Sequence, residues 1–208
     1  MTLYKKGSRG EIVRQIQKAL AGAGLRVMVD GFFGPITEEA VREFQKQKGL
    51  TPDGIVGTAT LALLIPARLK KSRRVINEII IHCTATPEGK DYTVNEIRRW
   101  HIIRGFTDIG YHYIIHPDGA IANGRDVDIA GAHCTGHNAH SIGVCYIGGC
   151  AKDGKTPKDT RTHEQKASLA SLLVDLRRLY PNATIHGHRD FANKACPSFD
   201  ATKEYKKY

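Results

Sequence analysis

The sequence lacks a long hydrophobic run. Its longest stretch without a charged residue, 129–151, contains five glycines, three histidines and an asparagine. Such a stretch is too polar to cross the roughly 30 Å of hydrocarbon in a bilayer, so no membrane span or anchor is predicted. The first fifteen residues, MTLYKKGSRGEIVRQ, have no apolar segment after their lysines. We therefore expect no secretory signal and synthesis in the cytoplasm.

Cysteine is irregularly placed and lacks the even, regular spacing of a disulfide framework. The chain has five, an odd number, at Cys83, Cys134, Cys145, Cys150 and Cys196. Without a secretory signal, this scattered set does not predict a disulfide framework. It indicates thiols from a reducing compartment, one of them available as a metal ligand. The compact zinc signatures CxxC and HExxH are also absent from the sequence, so no local motif alone establishes a metal site.

The excess of positive charge is concentrated in one short segment. The 208 residues carry a net charge of +10, with 41% hydrophobic and 25% charged residues, a composition typical of globular domains. Residues 66–74, Pro-Ala-Arg-Leu-Lys-Lys-Ser-Arg-Arg, hold five basic and no acidic residues, which is half of the excess. A uniformly basic domain would indicate a nucleic-acid partner, whereas a short basic run is typical of a solvated linker. We predict a linker over 66–74 and no nucleic-acid binding.

The N-terminal part contains an internal repeat. Residues 30–37, DGFFGPIT, recur as residues 53–60, DGIVGTAT, after twenty-three positions. Each copy combines an Asp-Gly turn, two apolar residues, a glycine and a threonine placed to cap a helix. Apolar residues at helical spacing lie before, between and after the copies, and Pro66 is expected to end the last run. The pattern predicts a small three-helix, all-α domain over residues 1–65.

These turns and helix faces resemble a known family. The pattern DGxFGxxTxxAVxxFQxxxGL, followed by DGxVGxxT, is similar to the peptidoglycan-binding domain found at the ends of many wall hydrolases. The resemblance covers residues 3–65 and implies that bacterial peptidoglycan is a partner. The residues themselves indicate only a compact bundle, because most matching positions are turn and core residues.

Strand and helix patterns alternate irregularly over residues 75–208. Apolar and β-branched runs predict strands at 75–81, 111–116, 120–122, 141–147 and 183–185. Capping boxes at 93–96 and 162–165 begin two predicted helices, the second of which extends to Pro181. This order predicts an α/β catalytic domain over 75–208, with a mixed central sheet flanked by helices.

Histidine is abundant, with ten among the 208 residues, and several end predicted strands. A single histidine is more often a surface or hydrogen-bonded residue than a metal ligand. Cys196 follows His188 by eight residues, a spacing that suits a loop returning to the strand end. Catalytic zinc takes three nitrogen, sulfur or oxygen ligands and leaves a fourth position for water. Two strand-end histidines with Cys196 are therefore a candidate triad, which spacing alone leaves open.

Six further motifs occur in a fixed order. They are IIHCTAT at 80–86, EIRRWH at 96–101, DIGYHY at 108–113, HCTGHN at 133–138, SIGVC at 141–145 and KACPSFD at 194–200. Together they resemble the phage-lysozyme-type N-acetylmuramoyl-L-alanine amidases, which share their fold with the peptidoglycan recognition proteins. The resemblance extends from Val75 to the last residue.

The resemblance implies one zinc ion held by His82, His188 and Cys196, with Tyr111 and Lys194 as catalytic residues. The residues alone would favour a buried strand tyrosine at Tyr111. The sequence departs from close relatives at Asn193, where a proline is common. That change affects the stiffness of the loop and none of the implied ligands. His133 and Asn138, in the glycine-rich loop, are candidate substrate-binding residues, with a structural role equally open.

The implied activity is hydrolysis of the amide bond between N-acetylmuramic acid and L-alanine. Because no export signal is expected, the resemblance points to a phage endolysin that reaches the wall after release at lysis, with a host enzyme exported by a non-standard route left open. We expect a monomer. Two alternatives stay open. The first is a peptidoglycan-binding protein without catalysis, since some members of this fold have lost the zinc ligands. The second is a peptidoglycan endopeptidase, since the same binding domain also accompanies peptidases.

Overall fold

The computed structural model describes residues 3–64 and 69–208. The chain folds into two compact units, Met1–Pro66 and Ala67–Tyr208. The predicted end of the third helix at Pro66 lies outside the described residues. Within the described residues, no helix has the length and apolar character needed to cross a bilayer.

The first unit is the predicted three-helix domain. Its helices are α1 (Glu11–Gly22), α2 (Pro35–Gln47) and α3 (Thr58–Leu64). The apolar stripes meet in one small core, in which the fully buried side chains are Val13, Ile16, Leu20, Phe33, Val41 and Val56. A domain of this size buries a modest area, so polar contacts inside it weigh heavily on its stability.

Two buried glutamines join the repeated turns to the helices. The side-chain Nε2 of Gln17 lies within hydrogen-bond distance of three acceptors, which are Asp30 Oδ1 at 2.8 Å, the Phe32 carbonyl at 2.9 Å and Thr37 Oγ1 at 3.1 Å. Its side-chain oxygen accepts the backbone N–H of Gly31 at 2.8 Å. Gln45 repeats all four bonds, to Asp53, Ile55, Thr60 and Gly54. Each repeat is therefore a turn clamped by a helix glutamine.

The expected capping role of the repeat threonine is wrong for α2. That helix begins after Gly34, which provides no side-chain cap, and Pro35 occupies its first position. Thr37 is buried and accepts the Gln17 amide instead. A threonine three residues inside a helix cannot cap it, and the buried glutamine supplies a partner that the local pattern does not reveal.

The second unit is the predicted mixed α/β structure. Five strands form the main sheet: β1 (Glu78–Cys83), β3 (Tyr113–Ile115), β4 (Ile121–Asn123), β5 (Ser141–Tyr146) and β7 (Thr184–Gly187). Their order is β4-β3-β5-β1-β7, with β3 and β4 antiparallel and the other pairs parallel. The short β2 (Thr86–Pro87) and β6 (Gly149–Cys150) form a separate parallel pair. The helices are α4 (Val94–Ile103), α5 (His163–Leu179) and α6 (Ala201–Glu204).

The two faces of the sheet bury different cores. The α5 face carries the larger core, which includes Ile79, Ile81 and Cys83 of β1 together with the leucines of α5. Side chains alternate along a strand, so His82 lies on the opposite face, towards α4. Capping boxes fix the first turns of both α4 and α5, as the sequence predicts. The sheet thus separates the structural core from the face that carries His82.

The basic segment differs from the solvated linker predicted over 66–74, of which residues 66–68 lie outside the described residues. From Lys70 onward it packs within the second unit, where Lys70 contacts Asp126 at 2.9 Å and Asp128 at 3.0 Å. The backbone N–H of Ser72 donates to the Tyr180 hydroxyl at 2.7 Å. A count of charges along the sequence does not reveal this, because the acidic partners lie more than fifty residues further on.

Candidate active site

Three potential metal ligands converge at the carboxyl ends of two adjacent parallel strands. His82 lies near the end of β1 and His188 directly follows β7, which pairs with β1. Cys196 returns from the loop after His188. The ligand atoms of these three residues all lie within 4.8 Å of one another. His82 Nδ1 is 3.8 Å from Cys196 Sγ, and the two imidazole centroids are 4.7 Å apart.

The environment keeps both imidazoles in the neutral form that can ligate a metal. Burial lowers the pKa of His82 well below its usual value, and the neighbouring His133 and His188 add to this effect. Burial also lowers the pKa of His188, with a further contribution from the positive charge of Lys194. The neighbouring thiol of Cys83 and burial raise the pKa of Cys196 above its usual value, and the backbone N–H of Cys83, which donates to Cys196 Sγ at 3.3 Å, acts in the opposite direction.

Tyr111 and Lys194 both lie beside this cluster. The ring of Tyr111 is centred 5.2 Å from that of His82, and burial raises the pKa of its phenol well above the usual value. Lys194 lies on the loop between His188 and Cys196 and is exposed. Its positive charge reaches both imidazoles, where it lowers their pKa. The five residues named by the resemblance thus gather at one site.

The structure corrects the substrate-binding prediction for His133. Its side chain is buried, with the residue 8% exposed, and both ring nitrogens face protein atoms. Nδ1 lies 3.0 Å from His82 Nε2, and Nε2 lies 3.4 Å from the hydroxyl of Ser141. No ring nitrogen is left to face a substrate, because the glycine-rich loop folds inward behind His82.

Asn138 holds the same loop together. Its side-chain oxygen accepts the backbone N–H groups of His133 at 2.9 Å and Cys134 at 3.0 Å. Arg74 in turn donates to the Asn138 carbonyl at 3.0 Å. The structural role left open by the sequence accounts for these contacts, and substrate binding by Asn138 stays a prediction.

His101 is a residue at the site that the sequence analysis does not single out. Its ring is centred 5.1 Å from that of Tyr111, and its Nδ1 accepts the Gly110 N–H at 2.8 Å. It belongs to the EIRRWH motif at the end of α4. Helical spacing alone does not show that this face of α4 meets Tyr111.

The second unit gathers two imidazoles, a thiol, a phenol and an ammonium at one edge of a mixed sheet, a set that can hold a metal ion and supply proton donors beside it. The chain belongs to the N-acetylmuramoyl-L-alanine amidase family, whose model matches residues 72–199. A peptidoglycan binding domain model matches residues 9–64. The family and domain resemblances drawn from the sequence are therefore confirmed.

Individual relatives agree with this assignment. The endolysin of Klebsiella phage KP32 is 44% identical over 135 residues, which is 65% of this chain and 89% of that protein. The endolysin of Escherichia phage T7 is 43% identical over 137 residues, or 66% of this chain and 90% of that protein. The solved structure of the amidase LysC from Clostridium intestinale URNW is similar, with a TM-score of 0.55 and 30% identity, covering 64% of this chain and 84% of that one.

Proposed function

We propose that this protein is a zinc-dependent endolysin that hydrolyses the amide bond between N-acetylmuramic acid and L-alanine in bacterial peptidoglycan. The observation that carries the proposal is the convergence of His82, His188 and Cys196, with ligand atoms within 4.8 Å of one another. The substrate is supported by the family and by the relatives that are themselves phage endolysins.

The donor set fits zinc. Two imidazoles and one thiolate are a known catalytic combination, and zinc–nitrogen and zinc–sulfur bonds of about 2.0 and 2.3 Å place such ligand atoms about 3.6 Å apart. The 3.8 Å between His82 Nδ1 and Cys196 Sγ is close to that separation. When bound, zinc with these ligands keeps a net positive charge, so it activates water near neutral pH and polarises a carbonyl group.

The ammonium of Lys194 is proposed to stabilise the negative charge that develops on the substrate carbonyl oxygen. Its exposed position on the loop between two ligands leaves the charge available to a bound substrate. A positioned cation or donor of this kind is typically worth about 3–4 kcal/mol in the transition state.

The phenol of Tyr111 is proposed to donate a hydrogen bond beside His82. Because burial raises its pKa, the hydroxyl keeps its proton at neutral pH. A protonated phenol can orient the attacking water or pass a proton to the leaving amine. Both roles need the hydroxyl and neither needs a phenolate.

The helical unit is proposed to hold the enzyme on peptidoglycan. The matched binding domain supports this partner. The basic segment gives little support for nucleic acid, because Lys70 and Arg73 are already paired with Asp126 and Asp128. The protein is thus expected to act on the cell wall.

The test is digestion of purified sacculi followed by mass analysis of the released fragments. We expect peptides with a new N-terminal L-alanine, loss of release after chelation, and recovery when Zn²⁺ is returned. Cys196→Ser is the matched control, since it keeps the side-chain shape but removes the thiolate ligand. New termini inside the stem peptide would instead indicate an endopeptidase, and binding without release would indicate a protein that does not cut the wall.

A further inference from the structure

His133 lies directly behind the proposed metal ligand His82. Its Nδ1 is 3.0 Å from His82 Nε2, on the side of the ring away from Cys196, which approaches His82 Nδ1. The two rings meet edge to face, with centroids 4.9 Å apart. Because both side chains are buried, no solvent competes for this hydrogen bond.

The chain makes room for the His133 ring with two glycines. A Cβ atom at Gly131 would lie 2.3 Å from His133 Cδ2, and one at Gly143 would lie 2.5 Å from the same atom. Both distances are far shorter than any real contact, so a side chain at either position would displace the ring. Gly143 lies in β5 and Gly131 in the glycine-rich loop, so two separate elements form the slot.

A chain of hydrogen bonds determines which nitrogen of each ring carries the proton. Ser141 Oγ donates to the His137 carbonyl at 2.8 Å, so it is left to accept from His133 Nε2, 3.4 Å away. His133 Nδ1 is then an acceptor, and the proton between the rings belongs to His82 Nε2. His82 Nδ1 keeps its lone pair, and this is the atom that faces Cys196.

We infer that His133 is a positioning residue that fixes the ring orientation and tautomer of the metal ligand His82. The inference rests on the zinc site of the proposed function. Histidine ligands commonly donate their second N–H to a fixed acceptor, and loss of such an acceptor costs about 10–100-fold in metal affinity. Here a neutral imidazole takes the place that a carboxylate or carbonyl often occupies.

The test compares two substitutions of nearly equal shape. His133→Asn keeps an acceptor atom close to the position of Nδ1, whereas His133→Leu removes it. Zn²⁺ affinity is measured by competition with a chromophoric chelator, independently of catalysis. We expect His133→Leu to bind Zn²⁺ about 10–100-fold more weakly than the wild type, and His133→Asn to recover most of that loss.

A control separates this role from the general cost of losing a buried histidine. His116 is also buried, and its Nδ1 contacts Asp91 at 2.8 Å. His116→Leu should lower thermal stability and leave Zn²⁺ affinity unchanged. If His133→Leu does not fold, Ser141→Ala decides. It leaves the His133 ring in place but removes the acceptor for Nε2, together with the hydrogen bond from Ser141 Oγ to the His137 carbonyl, and is expected to weaken Zn²⁺ binding.

The outcomes are distinct. Wild-type affinity in His133→Leu, or in Ser141→Ala where that variant decides, overturns the inference and leaves the zinc site standing. Equal losses in the Asn and Leu variants also overturn it, because packing and not the acceptor would then matter. A wild-type protein that binds no Zn²⁺ refutes the proposed function itself.

Discussion

The charge state of His112 makes the stability of the second unit depend on pH. This side chain is fully buried; its Nδ1 accepts the Gly143 N–H at 2.9 Å and its Nε2 faces the Ile129 carbonyl at 3.1 Å. Burial lowers the pKa of His112 to about 4, and the nearby guanidinium of Arg74 adds to the effect. A second proton would have to enter on Nδ1 and would break the bond from Gly143.

The size and sign of the effect follow from the two pKa values. In the unfolded chain His112 takes up its proton near its ordinary pKa of about 6.5. Between pH 6.5 and 4, His112 is therefore protonated in the unfolded chain and neutral in the folded protein. The free energy of unfolding falls as the pH falls through this range. A pKa lowered by about 2.5 units corresponds to about 3 kcal/mol of unfolding free energy, all of it present above pH 6.5.

The assay is denaturant unfolding of the wild type and His112→Asn at pH 7, 5.5 and 4. Asparagine keeps an acceptor for the Gly143 N–H but does not titrate. A chelator is present throughout, so that metal release does not contribute. Other buried histidines titrate in both proteins, so the difference between the two curves isolates His112. We expect the wild type to lose about 3 kcal/mol more than the variant between pH 7 and 4. Parallel curves would refute the reasoning.

Three other predictions concern the site and each unit. Lys194→Ala and Tyr111→Phe should each bind one equivalent of zinc but turn over sacculi about 100-fold or more slowly. A variant with near-normal turnover would show that the substituted residue has no catalytic role. Gln45→Leu leaves the Gly54 N–H without its partner and should lower the free energy of unfolding of the helical unit by about 3 kcal/mol. The variant should then lose binding to sacculi and keep its activity on soluble muropeptides. Arg161→Met breaks the pairs with Asp159 and Glu204 and should lower the free energy of unfolding by about 2 kcal/mol, measured by denaturant titration.

Local patterns predicted the helices and capping boxes because both depend on neighbouring residues. The box at Thr93 and Glu96 needs only four residues, and the structure forms both of its hydrogen bonds. The repeated Asp-Gly turns were equally visible. Gln17 and Gln45 were not, because they are separated by 28 positions and the turns by 23, so a single shift does not align them.

The ligand set became predictable through ordered motifs and not through spacing. His82 and Cys196 are 114 residues apart, and only the parallel pairing of β1 with β7 brings their surroundings together. The role of His133 was missed for a related reason. A histidine in a glycine-rich loop looks exposed in the sequence, and its burial depends on space that Gly143 provides from another strand.

The sheet order explains why these distant residues form one site. β1 lies between β5 and β7, and these two parallel neighbours supply different parts: the exit of β7 delivers His188, and β5 carries the glycine that admits His133 behind His82. The remaining groups, Lys194 and Cys196, lie on the loop that leaves β7. Phe191, on that loop, packs against the ring of His137 with ring centroids 3.8 Å apart, and this contact anchors the loop. The strands therefore fix the ligand histidines, and one anchored loop completes the site.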